Sequence, residues 1–136
     1  MKPNYFILPL AEMKKYIRMC QEGGDTLDWS QILELKDRPR VTFIQVVENN
    51  KELASAGWGW DGDEIKFGKI HVDESVQKQG IADTIMKMLI AIAKHYNASK
   101  ITGVIDGEEF LWGWYKKLGF VVYDGNKLLM KLRESQ

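Results

Sequence analysis

Cysteine is nearly absent from this 136-residue chain, where Cys20 stands alone. One thiol makes no internal disulfide and no multi-cysteine metal site, and it suits a reducing compartment. An excess of charge is also missing, because nineteen basic residues balance nineteen acidic ones. With no global field to draw the chain onto nucleic acid or an anionic membrane, any partner must be recognised locally. Long apolar runs are missing too. The one near the N-terminus, residues 5–11, is interrupted by Pro9 and is too short for a signal-peptide core or a membrane span, so the expected address is the cytoplasm. No repeat, linker or low-complexity segment divides the sequence. What is there is an ordinary soluble composition, 45% hydrophobic and 28% charged, in a length that fits one domain over residues 1–136 with a real core.

Periodicity predicts a strand over 4–10 and a helix over 11–21, where Met13, Tyr16, Ile17 and Cys20 share a face before Gly23-Gly24. A weaker helix is predicted over 25–36, capped by Asp25 or Thr26. Residues 41–48 and 53–60 read as an antiparallel hairpin about Asn49-Asn50-Lys51, and Asp61-Gly62-Asp63 turns into a further strand over 64–72. In that strand Ile65 and Phe67 alternate on odd positions but Ile70 and Val72 on even ones. Such a change of parity requires an inserted residue, so a β-bulge is expected at Gly68 or Lys69. Ile81, Ile85, Met88, Leu89, Ile92, Ala93 and Tyr96 form an amphipathic stripe that Asn97 closes. A strand over 100–105 completes a βαβ unit with parallel strands. A last helix over 108–118 ends at Gly119, and a closing hairpin turns at Asp124-Gly125-Asn126.

Between the strand and the long helix lies Gln77-Lys78-Gln79-Gly80-Ile81-Ala82. A helix start leaves about four N–H groups without partners and carries roughly half a positive charge. A glycine there lets a phosphate approach several donors at once, so this stretch is a candidate phosphate cradle.

Gln77, Gly80 and Ala82 fit the pattern Q/R-x-x-G-x-G/A, and Trp114-Tyr115-Lys116-Lys117-Leu118-Gly119-Phe120 follows some thirty residues on. With these motifs in this order the chain resembles the GNAT superfamily of acyl-CoA-dependent N-acetyltransferases, closely over 64–132 and before that in the order of its elements. The resemblance implies an α/β fold, with a twisted mixed sheet of about six to seven strands, helices on both faces, and parallel strands splayed at a coenzyme A site. It implies that backbone N–H groups of Lys78, Gln79, Gly80, Ile81, Ala82 and Asp83, with Gln77 in the loop, hold the pyrophosphate of acetyl-CoA. The pantetheine arm would then pair with Ile70, His71 and Val72. No metal is implied.

By the same resemblance Tyr115 is the general acid beside the thioester sulfur. A tyrosine near pKa 10 giving its proton to a thiolate near 8.5 is uphill by about 2 kcal/mol, so hydrogen bonding to the sulfur, or relay of a proton shed by the amine, is an alternative role. The chain departs from common family residues at Glu108, Leu111 and Lys66. Lys66 stands where some relatives carry a base glutamate, which leaves Glu64, His71 or a water to take the amine's proton. A lysine-like amine is neutral in only about one molecule in 2500 at pH 7, against about one tenth for an α-amine, so a site without an evident base favours weakly basic amines. The family's acceptor wall corresponds to residues 22–29 and to Trp58 and Trp60, where Asp25, Asp28, Trp29 and Trp58 would suit a cation. The acceptor is a small molecule or a protein amine, and a homodimer is possible, as in many relatives.

Plainer readings exist for each residue. Gly80 serves equally as a turn glycine, Tyr115 and the tryptophans as core, His71 as a structural strand residue, and Asp28 as a helix cap. The rival reading from another class is a CoA-binding regulatory domain of the same fold without turnover.

Overall fold

The computed structural model describes residues 4–23, 27–35, 37–38, 41–68, 70–105 and 112–132. Its elements are β1 (Asn4–Pro9), α1 (Leu10–Gly23), α2 (Trp29–Ile32), β2 (Val41–Glu48), β3 (Lys51–Asp61), β4 (Glu64–Phe67) and β5 (His71–Val72). After them come α3 (Ile81–His95), β6 (Lys100–Val104), α4 (Trp112–Leu118), β7 (Val121–Tyr123) and β8 (Lys127–Lys131). The predicted cap residues Asp25 and Thr26 lie outside the described residues. Within them, α2 is a single turn capped by Asp28, whose carboxylate accepts from the Gln31 N–H at 3.3 Å.

One mixed sheet runs in the order β1-β2-β3-β4-β6-β8-β7, with β5 pairing β3. The β2–β3 hairpin turns on Asn49 and Asn50, both with positive φ (53° and 64°), the geometry that suits the right-handed twist of the strands. As the βαβ unit requires, β4 and β6 are parallel, with Glu64 opposite Lys100, Ile65 opposite Ile101 and Lys66 opposite Thr102. The parity change has its expected cause. Phe67 pairs with Trp58 while His71 pairs with Ser55, so one residue more separates the two pairs on this strand than on β3, although Lys69 itself lies outside the described residues.

The core lies between one face of the sheet and its helices. Leu8, Ile44, Val46, Ile65 and Ile101 meet Met13 and Ile17 of α1 and Ile85, Met88, Leu89 and Ile92 of α3, all buried. The expectation of helices on both faces is corrected, since the described helices gather on one. The crossovers from β1 to β2 and from β4 to β6 both join parallel neighbours and run the same way across the sheet, so a common right hand puts α1, α2 and α3 on the same side. Helix α4 joins them, because Tyr115 packs on Phe67, which shares its face with Ile65. The opposite face leaves Tyr5, Ile7, Val104, Val121 and Tyr123 exposed.

Candidate functional site

The parallel pair β4 and β6 is hydrogen-bonded over three residues and then opens. Among the described residues, the chain past Lys66 continues into β5, which pairs only with β3, while β6 past Thr102 pairs only with β8. The edge of residues 70–72 therefore faces a wedge rather than a neighbouring strand, with backbone donors and acceptors available to an extended ligand. Ile70 and Val72 are half-buried beside it and His71 is exposed.

From the wedge the chain passes through a braced loop. The Asp73 carboxylate accepts from the Ser75 N–H at 3.0 Å and the Ser75 hydroxyl at 2.6 Å, closing a 3-10 turn over Glu74–Val76. Those Ser75 bonds, with the Lys51 ammonium 3.6 Å away adding a smaller share, hold the Asp73 carboxyl below the usual carboxylate range. Gln77 donates through Nε2 to the Val72 carbonyl at 3.1 Å, so its amide braces the loop from within. Lys78 (φ 63°) and Gly80 (φ 90°) are both left-handed, and α3 begins at Ile81 with no side chain capping it. Among the described residues no side chain accepts from its first-turn N–H groups, as an anion site requires. A Cβ at Gly80 would lie 3.2 Å from Ile17 Cγ2, so packing as well as φ selects glycine.

At the closed end of the wedge lies Phe67. Its ring sits over Gly103, where a Cβ would come within 2.6 Å of it, and packs against Phe120 (5.6 Å between centroids) and Tyr115 (6.2 Å). Tyr115 is 7% exposed, held by this cluster from the α4 side. Helix α4 is tied in turn to the cradle, because Trp114 Nε1 donates to Asp83 Oδ1 at 2.6 Å across the gap to the first turn of α3.

The remaining candidates are placed elsewhere. Glu64 lies three positions before Phe67, so its side chain leaves the opposite face. It accepts from the Thr102 hydroxyl at 2.6 Å and pairs with Lys100 at 3.6 Å, at the hydrogen-bonded end of the strand pair. Lys66 is exposed and pairs with Asp61 at 3.2 Å. Trp29 is 4% exposed, packs its ring at a steep angle on Tyr16 and lines the cavity beside Asp28, whereas Trp58 is 3% exposed within the core. Asp28 caps α2 and borders a cavity of about 730 Å³ over α3, beside Lys87, Lys94 and His95. Asp25, Glu108 and Leu111 lie outside the described residues. Sequence reasoning passed over Phe67, Gly103 and the Asp83–Trp114 bond. A glycine inside the strand of residues 100–105 was the one available signal.

The family model for the acetyltransferase (GNAT) family matches residues 10–120, and the chain belongs to that family. Among solved structures, the ribosomal-protein-S18-alanine N-acetyltransferase of Escherichia coli is 16% identical with a TM-score of 0.61, over 93% of this chain and 91% of that one. An N-acetyltransferase of Thermoplasma acidophilum in complex with coenzyme A is 13% identical with a TM-score of 0.61, over 87% and 76% of the two chains. A GNAT-family acetyltransferase of Elizabethkingia anophelis with acetyl-CoA bound is 22% identical with a TM-score of 0.53, over 63% and 72%. At these identities the likeness shows the fold. No sequence among the curated proteins is a significant match.

Proposed function

We propose that the protein transfers an acetyl group from acetyl-CoA to a primary amine by direct attack, with a weakly basic amine such as an α-amine as the preferred acceptor. The observation that carries this reading is the open wedge at residues 70–72, which leads at one end to the uncapped start of α3 and at the other to Tyr115. The pyrophosphate takes the N–H groups of residues 78–83, and the pantetheine amides pair with residues 70–72. The neutral amine attacks the thioester carbonyl carbon, and a backbone N–H of the wedge edge stabilises the oxyanion. Collapse breaks the C–S bond, the thiolate takes a proton from the Tyr115 hydroxyl, and the proton shed by the amine passes through solvent to restore that hydroxyl. Glu64 is bound at both carboxylate oxygens away from Tyr115, and an α-amine, already partly neutral at pH 7, does without a strong base.

The test is a thiol-release assay with acetyl-CoA and a panel of α-amines, peptide N-termini and lysine-type amines. Release that depends on the acceptor, fastest for α-amines, is expected. Thermal stabilisation by CoA with no release for any amine would replace this reading with that of a CoA-binding domain without turnover.

A further inference from the structure

The only acidic residue in the first turn of α3 is Asp83, the third residue of the helix. An aspartate so close to a helix start ordinarily gains by turning toward the free N–H groups and the positive end of the dipole. Here no side chain caps that end, and the Asp83 carboxylate instead accepts from the Trp114 indole at 2.6 Å in a part-buried bond. That donor sits one residue before Tyr115, and the two rings pack edge to face with centroids 4.8 Å apart. This hydrogen bond joins the cradle to the helix of the tyrosine, across 31 residues of sequence.

We propose that Asp83 and Trp114 are positioning residues, a strut with two effects on the site. It draws an anionic side chain away from N–H groups that must receive a phosphate. It also sets the spacing between α3 and α4, and so the reach of Tyr115 into the wedge. The inference rests on the coenzyme A reading and goes beyond it, by giving the Asp83 side chain a role opposite to that of its backbone N–H. Without the indole, the carboxylate rotates onto the helix end and competes there with the pyrophosphate.

The test measures CoA affinity by calorimetry and acetyl-CoA turnover with an amine that the wild type accepts, for W114F, D83N, D83A and D83N/W114F, with folding checked by circular dichroism. In W114F the freed carboxylate weakens CoA binding, by about threefold to tenfold at low salt, and kcat falls as well. D83N keeps an oxygen acceptor for the indole without the charge, and binds CoA at least as tightly as the wild type. The double variant recovers the affinity of D83N while its kcat stays low, which a packing role for Trp114 does not produce. D83A repeats the split without altering the indole, with affinity kept and kcat lowered, so the proposal stays testable if W114F does not fold. Wild-type affinity and kcat in W114F, or a double variant that binds CoA as weakly as W114F, overturns the strut alone. A wild-type chain that binds no CoA overturns the underlying reading with it.

Discussion

Tyr115 shows what a single side chain contributes here, because its ring is buried and packed among those of Phe67, Trp114 and Phe120. Tyr115→Phe keeps that packing and removes the hydroxyl that we propose as the proton donor. We expect kcat to fall by about a hundredfold with CoA affinity nearly unchanged, read by steady-state kinetics beside calorimetry. Tyr16 offers a different test. Burial first, and then the hydrogen bond it donates to Glu12 at 2.6 Å, push its pKa from 10.0 up to about 12. A pKa raised on folding gives stability that is complete below the unfolded value and is lost as pH rises through the folded one. Denaturant midpoints should therefore fall between pH 10 and about 12, and Tyr16→Phe should flatten that part of the profile.

At the scale of elements, the wedge is the feature that the strands build together. The parallel pairing of β4 and β6 stops after Lys66 and Thr102, one inserted residue turns β5 onto β3 alone, and the Phe67 ring fills the apex over Gly103. Gly103→Ala would press a methyl group into a ring that Phe120 and Tyr115 already hold from other sides. It should cost about 1–3 kcal/mol and lower turnover by displacing Tyr115, as measured by chemical denaturation and kinetics on the same sample. Phe67→Leu in the same chain should return much of the stability. The bulge that opens the wedge was legible from the parity of Ile65, Phe67, Ile70 and Val72, since side-chain alternation is a local property of a strand. The role of Phe67 was not, because it depends on a glycine 36 residues away that reaches it only through the sheet.

For the whole molecule, the one-sided arrangement places α1, α2, α3 and α4 over a single core, with the start of α3 packed on Ile17 of α1. A ligand at that start is coupled to the fold as a whole. Coenzyme A at a hundred times its dissociation constant should stabilise the chain by about 2.7 kcal/mol, raising the midpoint by about 10 °C in calorimetry, and less at high salt. The order of the elements, the parallel βαβ unit, the glycine-started helix and the tyrosine segment could all be read from the sequence, because periodicity, turn chemistry and capping act within a few residues. Which face receives the helices, that Glu64 is taken by Thr102 and Lys100, that Trp29 and Trp58 belong to the core, and that Asp83 meets Trp114 were decided only by the tertiary structure. Each of these depends on which strands lie side by side and which helices cross, and those distances do not exist until the chain has folded.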